Sequence, residues 1–193
     1  VAPLIKRKDE GNSGDNQGQS MGSNALNGIM EFMSGEAGDA FAAHPKLSEA
    51  IAGVSDATDI VGLNYMTGRH VLEAQLHPNK AVVGTETFPA DIFRLWTLVE
   101  DYSHIIGDFT WTGYDYLGES GIGTIQYKDK KTKQPADPGL IISGGAGIID
   151  ICGKKRPEVG WSKIIWGLQK TPTIGVDPYT RADYFQSLSM WRI

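Results

Sequence analysis

Short, continuously apolar runs alternate with segments of helical spacing along the middle of the chain. The runs lie at residues 21–26, 59–65, 81–86 and 105–111, and the first of them is the weakest. Runs this short and this continuously apolar are typical of buried parallel strands. The pattern therefore predicts an α/β fold with about four parallel strands joined by crossover helices.

Four further segments place apolar side chains at helical spacing, at residues 45–52, 71–76, 90–102 and 157–168. The faces predicted to be buried in the last two helices are Ile92, Phe93, Trp96 and Val99 in one, and Val159, Ile164, Ile165 and Leu168 in the other. Alternating strands and helices fit an open doubly wound sheet or half of a (β/α)8 barrel, because four strands are too few to close a barrel. The pattern alone leaves both architectures open.

The two ends of the chain break this alternation. Residues 1–20 end in a long polar stretch without a large apolar side chain, which predicts a flexible segment. Residues 21–170 hold the predicted α/β domain, and residues 171–193 have prolines and scattered aromatic residues without a helical period. We interpret that last stretch as a linker or the start of a β-domain, and the initial Val1 as a processed or truncated start.

Composition narrows the class of protein further. The chain has 193 residues, 40% of them hydrophobic and 21% charged, with a formal net charge of −5. These values are ordinary for a soluble globular protein, and no basic cluster or bilayer-length apolar stretch is present. The single cysteine, Cys152, excludes an intrachain disulfide and fits a reducing compartment. We therefore expect a cytoplasmic protein with no nucleic-acid or membrane partner.

Polar and aromatic residues stand where three consecutive strands are predicted to end. Asn64 and Tyr65 end the second strand, Glu86 the third and Trp111 the fourth. In parallel α/β folds the chemistry gathers at the carboxyl ends of the strands. A Tyr hydroxyl that donates to a carboxylate would hold it ionised and orient it, and a Trp face stacks on sugar rings. The pattern suggests a sugar site, although Glu86 could instead cap the next helix.

The remaining candidates carry weaker signals. Asp115 and Glu119 follow Trp111, and either could bind substrate hydroxyls or brace its own loop. The histidines show no metal-ligand spacing with one another, so we expect no metal and no cofactor. His70 follows a strand end, where a solvated loop histidine is the favoured interpretation.

Four segments together resemble glycoside hydrolase family two, the β-galactosidase and β-glucuronidase family. They are DIVGLNY, AVVGTETF, IIGDFTWTGYDYLGESGIG and AGIIDICGKKRPEVGWSKIIWG, in the order in which that family has them. The resemblance covers roughly residues 21–191 and implies the C-terminal half of a TIM (β/α)8 barrel. The wording of the third segment is closer to the galactosidase branch.

The resemblance also assigns roles. It implies that Glu86 is the nucleophile of a retaining enzyme, that Tyr65 hydrogen-bonds it, and that Trp111 and Asn64 line the sugar site. The substrate implied is a terminal β-galactoside or an oligosaccharide that carries one. In the family the acid/base Glu follows an Asn, but this sequence contains no Asn-Glu dipeptide.

The missing acid leads to the expectation that the chain is part of an enzyme and is inactive, or nearly so, by itself. An incomplete barrel leaves sheet edges and an apolar face uncovered, so we expect self-association or pairing with the remainder of a parent enzyme. Two alternatives stay open. One is a non-catalytic sugar-binding or structural half barrel, and the other is a β-glucuronidase or β-mannosidase of the same family.

Overall fold

The computed structural model describes residues 23–125, 127–131, 141–176, 184–186 and 191–192. Its helices are α1 (Ser23–Met33), α2 (Gly35–Ala42), α3 (Pro45–Ala57), α4 (His70–Leu76), α5 (Ile92–Asp101) and α6 (Pro157–Ile165). Its strands are β1 (Ile60–Asn64), β2 (Ala81–Thr87), β3 (Ile105–Thr110), β4 (Tyr127–Asp129) and β5 (Tyr184–Gln186). Single 3-10 turns at Thr67–Arg69 and Pro89–Asp91 lead into α4 and α5.

A parallel three-stranded sheet in the order β1-β2-β3 forms the centre of the fold. Its strands coincide with three of the four apolar runs, and α4 and α5 make the crossovers between them. The register pairs Asn64 with Glu86 and Gly84 with Asp108. The prediction of an α/β fold with parallel strands is therefore confirmed.

The strand predicted at residues 21–26 is wrong. From Ser23 onward this segment belongs to α1, because its apolar side chains recur at helical spacing. These side chains are Leu26, Ile29, Met30 and Met33. The parallel sheet of the described residues thus has three strands rather than four, and the half barrel stays a prediction.

The predicted helices are present, but two of their faces differ from expectation. In α5 the buried residues are Ile92 and Leu95, whereas Phe93 is 61% exposed because it lies off that stripe. In α6 the buried residues are Glu158, Gly160 and Ser162. Leu168, expected to be buried, is 72% exposed because the helix ends at Ile165. The helix α2 had not been predicted.

One face of the sheet is covered and the other is bare. Val61, Leu63, Val82 and Ile105 form a buried cluster on the covered face, against which residues of α5 pack. Alternation along β1 turns the neighbours of Val61 and Leu63 to the opposite face. In β3 the register shift after Ile105, where Val83 pairs with Gly107, puts Phe109 on that opposite face as well. There Ile60 and Phe109 are 48% and 65% exposed.

A second cluster lies beside the carboxyl ends of the strands. It joins Phe88, Ile122, Ala146 and Trp191, which are all at most 5% exposed. The side chain of Asn27 in α1 ties the long loop after β3 to this region, accepting from Gly123 N at 3.0 Å and donating to Gly121 O at 3.1 Å. The cluster therefore packs the loop, the end of β2 and the distant Trp191 together.

The predicted segment boundaries stay predictions. Residues 1–20 lie outside the described residues. In the stretch 171–193, expected to be a linker or the start of a β-domain, β5 pairs in antiparallel fashion with β4, which lies within residues 21–170. In the described parts of the chain, none of the helices combines the length and the apolar character that crossing a bilayer requires.

Candidate functional site

Glu86 and Tyr65 meet at the carboxyl edge of the sheet. The backbone N–H of Tyr65 donates to the carbonyl oxygen of Glu86 at 2.8 Å, and the Tyr65 hydroxyl is hydrogen-bonded to the Glu86 carboxylate. Burial, the Glu86 charge and this hydrogen bond raise the pKa of Tyr65 well above its ordinary value. The phenol therefore stays protonated and acts as a donor to the carboxylate.

An unusual backbone conformation brings the phenol to this position. Tyr65 directly follows β1 and has a φ of 56°, in the left-handed region that non-glycine residues seldom occupy. Its ring packs on Phe88, with the ring centroids 4.5 Å apart. The ring contact and the two bonds to Glu86 offset a backbone cost of roughly 1–2 kcal/mol.

Asn64 is paired with Glu86 in the register of the sheet, but its side-chain hydrogen bond goes to Thr85. Its Oδ1 accepts a hydrogen bond from the Thr85 hydroxyl at 2.6 Å, and the residue is exposed. A sugar contact by Asn64 stays a prediction. Its amide group is free of any bond to the Tyr65–Glu86 pair among the described contacts.

Trp111 stands at the end of the third strand, next to the same edge. The backbone N–H of Trp111 donates to the carbonyl oxygen of Thr87 at 2.9 Å, which places Trp111 beside the end of β2. Its ring is 5.9 Å from that of Tyr116 and 6.0 Å from that of Trp191, in both cases edge to face. The Trp111–Thr112 peptide bond is cis. Together these contacts fix the orientation of an indole at the rim of the site.

Glu119 comes to the site together with Tyr116, a residue that the sequence analysis missed. The Tyr116 hydroxyl donates to Glu119 Oε2. Burial, the hydrogen bond to Glu119 and the charges of Glu119, Asp115 and Glu86 raise the pKa of Tyr116. Glu119 also acts electrostatically on Tyr65. The signal available in the sequence was the third aromatic residue of WTGYDY, two positions after the first tyrosine.

Asp115 is turned into the protein, in contrast to Glu119. Its Oδ1 accepts from Gly147 N at 2.6 Å and its Oδ2 from Arg156 at 2.5 Å, and its side chain is 2% exposed. Arg156 also donates to the carbonyl oxygens of Gly145 and Gly147. Of the two roles left open for Asp115, this geometry favours the brace of the loop over a contact with substrate hydroxyls.

A buried polar group lies beneath the sheet edge and was not predicted. The Thr87 hydroxyl donates to Asp108 Oδ1 at 2.6 Å, and both residues surround Gly84 together with His70. Burial, with a smaller contribution from the Asp91 charge, raises the pKa of Asp108 to about 6. The group supports the backbone of β2 directly behind Glu86.

The expectation of a solvated loop position for His70 is wrong. The residue begins α4 and is fully buried, and its Nδ1 lies 3.2 Å from the carbonyl oxygens of Met66 and Thr67. Burial lowers the pKa of His70, so the ring is neutral and donates from Nδ1. The sequence did not reveal that α4 turns this side chain beneath the sheet.

Two other observations bear on what the protein can bind. Within the described residues, no group of three or more His, Cys, Asp or Glu side chains is placed to hold a metal ion. A cleft of about 560 Å³ runs along α6 and is lined in part by Arg156, Glu158, Trp161 and Arg192. None of the strand-end residues lines this cleft. The side chains that meet at the sheet edge are carboxylates, phenols and an indole.

Comparison with known proteins gave few matches. No family model matches the chain, and no curated protein matches it. The chain is similar to a solved glycosyl hydrolase family 2 member from Bacteroides cellulosilyticus, at 27% identity and a TM-score of 0.49, over 64% of this chain and 15% of that one.

A second similar structure is a glycosyl hydrolase family 2 member from Bacteroides cellulosilyticus DSM 14838. There the identity is 26% and the TM-score 0.40, over 56% of this chain and 12% of that one. The chain thus spans less than a sixth of either protein.

Proposed function

We propose that the chain is part of a retaining glycoside hydrolase of family two that acts on terminal β-galactosides. The observation that carries the proposal is the pairing of Tyr65 with Glu86 at the ends of two adjacent parallel strands. Trp111 stands beside this pair and offers an indole for a sugar ring. The resemblance of the strand segments to that family supports the same assignment.

In this mechanism Glu86 attacks the anomeric carbon of the galactoside. A bond forms between its carboxylate oxygen and that carbon, while the bond to the leaving oxygen breaks. Tyr65 orients the carboxylate through its hydroxyl, which remains protonated. Water then releases the sugar from Glu86, and two displacements leave the anomeric configuration unchanged.

A second carboxyl group must protonate the leaving oxygen and later activate water, at about 5–5.5 Å from the nucleophile. The family's Asn-Glu motif is absent from this sequence. Glu119 accepts a hydrogen bond from Tyr116, which suits a carboxylate rather than a proton donor. Because general acid help is typically worth about a hundred- to ten-thousand-fold, we propose that this chain alone turns over unactivated galactosides negligibly.

The experiment that tests the proposal labels Glu86 with a sugar whose leaving group departs without help from a general acid. A 2-deoxy-2-fluoro-β-galactosyl fluoride loses fluoride as Glu86 attacks, and the fluorine at the second carbon slows release of the sugar. We expect one sugar per chain, found by mass spectrometry on the peptide that contains Glu86. Glu86→Gln should abolish labelling, whereas Glu100→Gln, which changes an exposed residue at the end of α5, should leave it intact.

The bare face of the sheet favours a second candidate, a non-catalytic sugar-binding half barrel. Exposed apolar residues such as Ile60 and Phe109 suit an element that docks on something else, either a copy of itself or the remainder of a parent enzyme. Galactose binding by calorimetry without any labelling of Glu86 would favour this candidate over the glycosidase. Labelling by a glucuronyl or mannosyl fluoride instead of the galactosyl reagent would keep the family and change the sugar.

A further inference from the structure

The loop after β3 presents a phenol and a carboxylate as one unit. Tyr116 donates its hydroxyl to Glu119, and its ring stands edge to face on Trp111 at 5.9 Å. The backbone N–H of Trp111 in turn donates a hydrogen bond to the carbonyl oxygen of Thr87, the residue after Glu86. Glu119 is therefore held by a chain of contacts on the same rim as the proposed nucleophile, although it is exposed.

The charges that meet at this rim are negative. Glu86 and Glu119 both act on the phenols of Tyr65 and Tyr116. Arg156 approaches this loop but is occupied by Asp115 and by two carbonyl oxygens. Arg192, which lies near Arg156, is paired with Glu158. A sugar bound over Trp111 thus meets two carboxylates and two phenols from the described part of the chain.

We infer that Glu119, positioned by Tyr116, makes this site selective for neutral sugars and rejects sugars that carry a carboxylate. The inference rests on the proposed function, since it needs a glycoside seated at Glu86. A neutral galactoside can donate its hydroxyl hydrogens to the free oxygen of Glu119. A galacturonide would instead bring a third carboxylate to the rim, where like charges repel.

The experiment compares two reagents that differ only at the sixth carbon. These are the 2-deoxy-2-fluoro-β-galactosyl fluoride and the corresponding galacturonyl fluoride, and the rate of Glu86 labelling is measured for each. In both, the bond to fluoride breaks with its electron pair, and the bond to the Glu86 oxygen forms. The two reagents therefore ask the same chemistry of the protein, and the ratio of rates reports the charge at the rim.

We expect the neutral reagent to label at least about tenfold faster at low salt, a modest ratio because exposed charges are screened. Glu119→Gln should reduce the ratio to within about threefold, while the distant Glu100→Gln should preserve it. Raising the salt from about 20 mM to about 500 mM should also narrow the ratio in the unaltered protein. A steric preference would not respond to salt.

Three outcomes overturn the inference, and only the last of them also overturns the proposed function. If the galacturonyl reagent labels Glu86 as fast as the neutral one, or if Glu119→Gln leaves the ratio unchanged, the inference fails while Glu86 remains the nucleophile. If neither reagent labels Glu86, the proposed function fails, and the inference fails because it depends on that function.

Discussion

Tyr65 and Glu86 are joined twice, once through the backbone at 2.8 Å and once through the phenol and the carboxylate. The prediction from this pair concerns Tyr65→Phe, which keeps the ring on Phe88 but removes the hydroxyl. We expect Glu86 to be labelled about ten- to a hundredfold more slowly, because the carboxylate loses its orienting donor. Stopped-flow release of fluoride measures the rate. An unchanged rate in a folded variant would exclude a positioning role for the phenol.

Asp108 predicts a dependence of stability on pH. The pKa of Asp108 rises from 3.8 in the unfolded chain to about 6 in the folded protein. Stability from this group is therefore fully present below about pH 3.8 and is lost as the pH rises through about 6, by about 2–3 kcal/mol. Asp108→Asn cannot ionise, so its free energy of unfolding relative to the wild type should rise by that amount across this window.

Urea unfolding of both proteins at a series of pH values measures this difference. The comparison is made at each pH, because the lowered pKa of His70 adds an opposite slope to both proteins. A difference that does not change between pH 4 and pH 7 would contradict the burial of an ionising Asp108.

From the ion pair between Arg156 and Asp115 we expect a large loss of stability in the variant Arg156→Ala. The variant leaves a carboxylate with a 2% exposed side chain without its cation, which typically costs about 3–5 kcal/mol. Arg94→Ala is the matched control, because Arg94 forms a pair of similar length, 2.6 Å, with Asp39 at the surface. Exposed pairs contribute about 0–1 kcal/mol. Equal losses in the two variants, measured by urea unfolding, would show that Asp115 is not buried.

We expect Trp191 to support the site through its packing on the aromatic rings at the sheet edge. It is 2% exposed and packs on Phe88 and Trp111. Trp191→Ala should cost about 3–5 kcal/mol of stability and slow the labelling of Glu86, because Trp111 loses a supporting ring. Trp166→Ala removes a 37% exposed indole that contacts Trp96, and should have a smaller effect. Thermal unfolding and labelling rates together test this role.

The strands and the Tyr65–Glu86 pair could be predicted because they depend on local patterns and on one topological rule. Apolar runs mark buried strands, and the carboxyl ends of adjacent parallel strands meet at one edge. Residues 21–26 were misassigned because six residues are too few to separate a strand from the first turns of a helix. The longer stripe that ends at Met33 decides the matter.

The remaining site residues depend on contacts between distant segments, which the sequence does not encode in its spacing. Asp115 turns inward because Arg156 approaches it from the start of α6, and His70 is buried because α4 turns it beneath β2. Tyr116 gains its place through the fold of the loop around Trp111. In each case the sequence shows the chemical type of the side chain but does not show which distant residue it contacts.

The bare face of the sheet also has a thermodynamic consequence. Side chains such as Ile60 and Phe109 are already largely in water in the folded chain, so unfolding hydrates less new apolar surface than in a sheet covered on both sides. The heat capacity of unfolding rises with that newly hydrated surface and is usually roughly 12–15 cal/mol/K per residue. This chain should fall below that range in calorimetry, and its stability should accordingly vary less steeply with temperature on either side of its maximum.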